Sequence, residues 1–227
     1  MIKLDKEPNI RIKGDSLKYV SRGGLKLEKA VSVFEMDFNG KKVLDVGAST
    51  GGFTDCALQN GAEFVYSVDV GTNQLDWKLR NNPQVKSIEN MHIKDLTLDN
   101  IDGNLVDYIV MDVSFISIKK IIGDLVKFFK PETKLMALIK PQFEVDKEHI
   151  AKGGIVKDDA RHVEVIKDII EYAKAEGLYL EGLDFSPITG SKGNVEYISI
   201  FGRDSSKERE IEIEEIVGRG KNLGGTV

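Results

Sequence analysis

Six near-continuous apolar segments alternate with helical segments along this chain, and this alternation constrains the fold more than any other feature. Strands that are apolar throughout must be covered by helices on both faces, which is typical of a parallel sheet. The pattern predicts strands at 42–47, 62–70, 105–113, 134–140, 178–186 and 195–202. It predicts helices at 25–36, 53–59, 74–82, 117–129 and 159–177.

The last two predicted strands are separated only by the segment PITGSKGN, which leaves no room for a crossover helix. We therefore expect them to pair as an antiparallel hairpin at one edge of the sheet. The predicted fold class is α/β. It resembles the Rossmann-like class I methyltransferases, with a doubly wound, mostly parallel seven-stranded sheet that ends in an antiparallel hairpin. Ligands of such sheets bind beyond the carboxyl ends of the strands.

Composition excludes several classes of protein. The chain has 227 residues, 41% hydrophobic and 30% charged, which suits one globular domain with a full core, with or without a small appendage. No apolar run approaches the roughly 20 residues that cross a bilayer. The single cysteine, Cys56, rules out an intrachain disulfide. We therefore expect a cytoplasmic protein that is not embedded in a membrane.

Charge is distributed unevenly along the chain. Residues 1–29 hold eight basic and four acidic side chains, a net +4, so the other 198 residues hold −9 of the total −5. A basic arm on an acidic body favours a polyanionic partner such as RNA. A lysine-rich surface that is merely solvated explains the charge equally well.

A glycine-rich loop, DVGASTGGF at 45–53, follows the first strand and opens a helix. A dinucleotide fingerprint requires glycine at 47, 49 and 52, and Ser49 breaks that pattern. A methyltransferase loop needs a tight turn at Gly47 and close backbone approach at Gly51 and Gly52. The loop therefore favours a methyltransferase cofactor over a nicotinamide one.

Two acids are expected beside this loop. Asp45 precedes it and is placed near the charged amino-acid end of a ligand. Asp69 ends the next strand, where its carboxylate can accept hydrogen bonds from a ribose diol. A strand–turn–helix corner without a ligand is the alternative.

Four further residues suggest a shared site. Asp112 and Lys140 each end an apolar strand, so both belong at the carboxyl edge of the sheet. Glu196 lies on an apolar strand face, where an acid is costly to bury unless it is paired. Lys26 begins the first helix. Two lysines and two acids are expected to form one neutral, paired cluster, although salt bridges that only cap strand ends would use the same residues.

Seven segments carry a family resemblance, and they occur in order between residues 17 and 202. They are YVSRGGLKLEKA, LDVGASTGGFTD, NQLDWKLRNNPQV, VMDVSFIS, ALIKPQFE, GGIVKD and GNVEYISI. Together they resemble the TlyA, or haemolysin A, family, which is similar to the FtsJ-like ribose 2′-O-methyltransferases of ribosomal RNA. The resemblance implies S-adenosylmethionine as methyl donor and a catalytic set at Lys26, Asp112, Lys140 and Glu196.

The implied chemistry explains why lysines are present. A ribose hydroxyl must lose its proton as it attacks the methyl group, whereas a free lysine, with a pKa of about 10.4, is protonated at pH 7. A neighbouring cation and partial burial both favour the neutral amine. We expect Lys140 to act as general base or as stabiliser of the developing alkoxide, with Lys26 positioning the ribose.

The resemblance also implies binding residues. The expected cofactor-binding set is Asp45, Gly47, Ser49, Gly51, Gly52, Phe53, Asp69, Val70, His92 and Asp112. The expected RNA contacts are Lys18, Ser21, Arg22 and Lys26. Family members often carry a Thr-Asn pair where this chain has Met91 and His92. The expected cofactor contact of His92 therefore rests on its place in the segment and not on its residue type. The three histidines lack metal-ligand spacing, and no metal is expected.

Family members usually carry an S4-type RNA-binding domain before the YVSRGG segment. We expect residues 1–18 to be a remnant of such a domain and its linker, 19–203 the methyltransferase domain, and 204–227 a charged tail. Residues 1–16 should be poorly ordered or borrow packing from the catalytic body. The chain should bind S-adenosylmethionine yet methylate ribosomal RNA, free or in a subunit, poorly or not at all until an S4 domain is restored.

Three other functions compete with this interpretation. A haemolysin predicts an amphipathic or apolar membrane-inserting segment, which the sequence lacks. An RNA-binding module without catalysis does not require the four ionisable residues. A small-molecule methyltransferase or nicotinamide enzyme is disfavoured by the basic arm and the missing fingerprint glycine.

Overall fold

A seven-stranded sheet organises residues 18–223, the part of the chain that the computed structural model describes. The strands are β1 (Lys42–Val46), β2 (Phe64–Val68), β3 (Val85–Ile88), β4 (Val106–Met111), β5 (Phe129–Ile139), β6 (Tyr179–Phe185) and β7 (Tyr197–Gly202). Their order across the sheet is β3-β2-β1-β4-β5-β7-β6. β7 pairs antiparallel with β5 and β6, and the remaining pairs are parallel. The predicted mostly parallel sheet with a C-terminal hairpin is confirmed.

Helices cover both faces of the sheet. They are α1 (Gly23–Val33), α2 (Gly52–Gln59), α3 (Trp77–Arg80), α4 (Lys119–Leu125), α5 (Asp159–Ala175) and α6 (Ile213–Lys221). Leu27 of α1 and Phe53 of α2 belong to the core on one face, and α4, α5 and α6 pack on the other. Val43 and Leu44, adjacent in β1, are fully buried on opposite faces, as a strand covered twice requires.

Two elements differ from the prediction. β3 is a separate short strand that the sequence pattern did not locate, because its residues VKSI are all half-buried and mix polar with apolar side chains. The helix predicted over 117–129 ends at Leu125, and β5 begins at Phe129, so Pro131 lies inside a strand. The register shifts between Val106 and Tyr108 at that point, and such irregular strand ends tolerate proline.

The expected charged tail contains a packed helix. Ile213, Ile216 and Val217 of α6 are buried in the same core cluster as α4 and α5. The charges of α6 hid this apolar stripe, which repeats at helical spacing. Of the predicted S4 remnant, all but Lys18 lies outside the described residues, as does 224–227.

No helix within residues 18–223 is both long enough and apolar enough to cross a membrane.

Replacement of Ile216 by alanine tests whether α6 belongs to the domain. Ile216 is 7% exposed, so the variant should lose about 2–4 kcal/mol of unfolding free energy in urea denaturation. Glu215→Ala on the exposed face of the same helix is the control, with an expected change below about 0.5 kcal/mol. Equal stability of the two variants would show that 204–223 is a dispensable tail.

Candidate active site

Four ionisable side chains from distant parts of the chain meet at the carboxyl edge of the sheet. Lys26 lies in the first turns of α1, Asp112 directly follows β4, Lys140 directly follows β5, and Glu196 directly precedes β7. Because β7 runs antiparallel, its first residues reach the same edge as the ends of β4 and β5. The predicted cluster is therefore assembled by the sheet topology.

Asp112 joins the two lysines of this cluster. Its Oδ1 lies 2.5 Å from Lys140 Nζ, and its Oδ2 lies 3.3 Å from Lys26 Nζ. Glu196 Oε2 accepts a hydrogen bond from Lys26 Nζ at 2.6 Å. The four side chains thus form one continuous ion-paired chain whose formal charges cancel.

The cluster is largely buried. Side-chain exposure is 10% for Lys26, 7% for Lys140, 3% for Glu196 and 19% for Asp112. Burial by itself favours the neutral amine of Lys26, but the charges of Asp112 and Glu196 raise the pKa of Lys26 above its ordinary value. Lys26 is therefore a fixed cation at neutral pH.

Two neighbours of the cluster were missed by the sequence reasoning. Ser114 Oγ accepts a hydrogen bond from Lys140 Nζ at 2.9 Å. Gln142 Nε2 donates to the second oxygen of Glu196 at 3.1 Å, and Gln142 Oε1 is buried without a partner among the described residues. Ser114 lies in VMDVSFIS and Gln142 in ALIKPQFE, two of the segments that carry the family resemblance. Their place beside Asp112 and Lys140 in these segments could have identified them as neighbours of the cluster.

Glycines allow the loop after β1 to approach its neighbours closely. Gly47 has φ +80°, and a Cβ there would lie 2.8 Å from the Asp112 carbonyl oxygen. A Cβ at Gly52 would lie 2.4 Å from Ser21 Oγ and 2.8 Å from Gly24 N. The close approach at Gly52 brings the start of α1 over the loop, and this places Lys26 in the cluster.

A cavity of about 610 Å³, here named the Lys26 cavity, opens over the cluster. All four cluster residues line it, together with Ser21 and Arg22 of the predicted RNA-binding set. The glycine loop and the segments that follow β4 and β5 also line it. The prediction did not include the part of the wall that comes from the 150–154 loop and the 188–194 loop.

A second cavity of about 620 Å³, here named the Asp69 cavity, lies on the other side of the glycine loop. Predicted cofactor residues that line it are Gly47, Ser49, Asp69, Val70, His92 and Asp112. Asp69 Oδ2 accepts from Ser49 N at 2.8 Å, and Oδ1 accepts from Gly71 N at 2.7 Å. Asp112 and Phe115 line both cavities, so the two spaces adjoin at the cluster.

Four predicted binding residues lie elsewhere. Gly51 lines neither cavity, and its backbone packs against Leu79 instead. Gly52 and Phe53 line the Lys26 cavity rather than the Asp69 cavity. Lys18 is exposed, pairs with Glu28 and lines neither cavity.

The placement of Asp45 corrects the prediction that it lies beside a ligand. Asp45 is inside β1 and fully buried, and its Oδ2 accepts from Thr54 Oγ1 of α2 at 2.6 Å. Its Oδ1 has no partner among the described residues. Burial raises the pKa of Asp45 to about 7, although the hydrogen bond from Thr54 opposes the shift. Asp45 therefore anchors α2 to the sheet.

Among the described residues, no group of three or more histidine, cysteine, aspartate or glutamate side chains is arranged to hold a metal ion.

Comparison with known families now adds to this geometry. The family model for FtsJ-like methyltransferases matches residues 19–203, most of the chain.

The chain belongs to the FtsJ-like methyltransferase family.

Named relatives agree with this assignment. A Bacillus subtilis protein named "Putative rRNA methyltransferase YqxC" is 46% identical over 86% of this chain and 70% of its own length. The Mycobacterium tuberculosis protein named 16S/23S rRNA (cytidine-2′-O)-methyltransferase TlyA is 40% identical over 79% of this chain and 66% of its own. A solved Streptococcus thermophilus structure described as a "putative hemolysin" has 42% identity and a TM-score of 0.88, covering 93% of this chain and 77% of that one. The predicted TlyA and haemolysin A resemblance is confirmed.

Asp45→Asn should change how the stability of this FtsJ-like methyltransferase depends on pH. The folded protein disfavours the charged carboxylate, so wild-type stability falls as pH rises from the unfolded-state pKa towards about 7. Asparagine cannot ionise and avoids that loss. Relative to the variant, the wild type should lose about 3 kcal/mol of unfolding free energy between about pH 5 and pH 8, measured by urea denaturation. Parallel pH profiles would contradict the burial of this charge.

Proposed function

We propose that this protein transfers the methyl group of S-adenosylmethionine to a ribose 2′-hydroxyl of ribosomal RNA. The observation that carries the proposal is the ion-paired cluster of Lys26, Asp112, Lys140 and Glu196 at the junction of two cavities. One cavity suits a methyl donor and the other an acceptor. The Mycobacterium tuberculosis relative is named for this reaction on 16S and 23S rRNA, which supports ribosomal RNA as the partner.

The Asp69 cavity has the features that S-adenosylmethionine requires. Each carboxylate oxygen of Asp69 accepts one backbone N–H and retains a lone pair for a ribose hydroxyl. Val70, Met91 and Ile93 provide apolar walls for an adenine ring, and His92 lies among them. When bound, this cofactor supplies a methyl group made electrophilic by its sulfonium charge.

The cluster provides the remaining chemistry. Asp112 and Ser114 fix the direction of Lys140 Nζ, which faces the Lys26 cavity as a proton acceptor or as a stabiliser of the developing alkoxide. Lys26 is held by Asp112 and Glu196 and acts as the fixed cation that positions the ribose. Because both carboxylates are engaged by lysines, negative charge that develops on the hydroxyl oxygen meets lysine Nζ groups rather than a free carboxylate.

The proposed cofactor site is tested at Asp69. Asp69→Ala removes the acceptor for the ribose diol and should weaken S-adenosylmethionine binding by about 1.5–3 kcal/mol in calorimetry, roughly 10- to 150-fold. Asp99→Ala makes the same charge change at an exposed site outside both cavities and serves as the control. Unchanged affinity in Asp69→Ala would remove Asp69 from the cofactor site.

The proposed catalytic role is tested at Lys140. Lys140→Ala should slow methyl transfer to ribosomal RNA by at least about 100-fold while cofactor affinity stays within twofold, because the lysine acts on the hydroxyl and not on the cofactor. Transfer is measured under single-turnover conditions with radiolabelled S-adenosylmethionine and protein in excess. Lys147→Ala, an exposed lysine outside both cavities, is the control. A wild-type rate in Lys140→Ala would make the lysine structural.

A further inference from the structure

Two cations line the Lys26 cavity without belonging to the ion-paired cluster. Arg22 lies at the start of α1, and Lys192 lies on the loop that joins β6 to β7. Neither forms an ion pair with another residue of the described range 18–223. The cavity lining holds four cations and two anions, a net +2, in a chain whose net charge is −5. The cavity wall therefore carries net positive charge, whereas the whole chain is acidic.

The loop that carries Lys192 is fixed by a buried asparagine. Asn194 Nδ2 donates to the Gly154 carbonyl at 2.8 Å, and its Oδ1 accepts from Val156 N at 3.0 Å. Within the loop, Gly190 N donates to the Asn194 carbonyl at 2.9 Å. Asn194 is 3% exposed, so these bonds hold the 188–194 loop against the 150–156 segment. The loop is thereby kept as part of the cavity wall.

Gly154 makes room for the lysine side chain. A Cβ at Gly154 would lie 3.1 Å from Lys192 Nζ and 3.2 Å from its Cδ, and Gly154 has φ +82°. A side chain at this position would push the ammonium group away and strain the backbone. Gly154 of the segment GGIVKD and Asn194 of the segment GNVEYISI therefore act together to position the ammonium group of Lys192. Both segments carry part of the family resemblance.

We propose that Lys192 is a substrate-positioning residue that binds a backbone phosphate of the RNA strand beside the target ribose. Lys192 and Arg22 come from different walls of the cavity, so together they contact the strand on two sides of the nucleotide presented to the cluster. Lysine binds phosphate as a point charge and does not read the base. This inference rests on the proposed function and adds the contact that holds the acceptor.

The test is RNA binding by the full chain, measured as fluorescence anisotropy of a labelled single-stranded RNA over a salt series. One lost phosphate contact reduces the salt slope by roughly 0.7 and the affinity by about fivefold at about 0.1 M salt. We expect that loss in Lys192→Ala and recovery in Lys192→Arg. Lys152→Ala removes the same charge from an exposed position outside the cavity and should bind like wild type.

Calorimetry with S-adenosylmethionine on the same proteins separates this inference from the proposed function. Normal cofactor binding by all variants, with weakened RNA binding only in Lys192→Ala, supports the positioning role. An unchanged salt slope in Lys192→Ala, or an equal loss in Lys152→Ala, overturns the inference and leaves the methyltransferase assignment intact. Absence of RNA binding by the wild type overturns it as well, and failure of the wild type to bind the cofactor overturns the proposed function.

Discussion

The buried ion pair between Lys26 and Glu196 is the interaction on which the site depends. The two residues are 170 positions apart in the chain, and each supplies an opposite charge to the other in a buried position, where an unpaired charge is costly. Lys26 comes from α1, which lies outside the sheet, and Glu196 comes from the start of β7, the antiparallel strand. The pair therefore forms only when α1 has docked over the glycine loop and β7 has inserted between β5 and β6.

Charge is arranged in two layers around this pair. The inner layer is the neutral cluster, in which at least one carboxylate holds each lysine side chain in a fixed orientation. The outer layer consists of Arg22 and Lys192, which carry net positive charge on the cavity wall. A neutral inner cluster avoids the cost of burying net charge, whereas outer cations suit a polyanionic partner. This division fits the proposed function, in which one cavity both holds RNA and stabilises charge that develops in the reaction.

The sheet could be predicted from the alternation of apolar strands with helices, and the ion-paired cluster could be predicted because two of its members end strands. Asp112 and Lys140 each follow a continuous apolar run, and the carboxyl ends of parallel strands must meet. Asp45 shows where that rule fails. It lies one residue inside β1, so its side chain faces α2, and its partner Thr54 could not be read from spacing.

Other features depend on contacts that no local pattern encodes. α6 was hidden because its four charged residues outnumber the three apolar side chains that it buries. Lys192 reaches the cavity only through a loop whose course is set by the hydrogen bonds of Asn194 to a distant segment. Local sequence thus predicts which residues end a strand, but not which loops fold back over it.

The central claim is that this cluster directs methyl transfer to a ribose oxygen and not to a base. It is tested most directly by locating the methyl group in the product. Ribosomal RNA is incubated with excess protein and radiolabelled S-adenosylmethionine, digested to nucleosides and analysed by chromatography and mass spectrometry. The account predicts that the label is on a 2′-O-methylated ribose. A label on a base would contradict it.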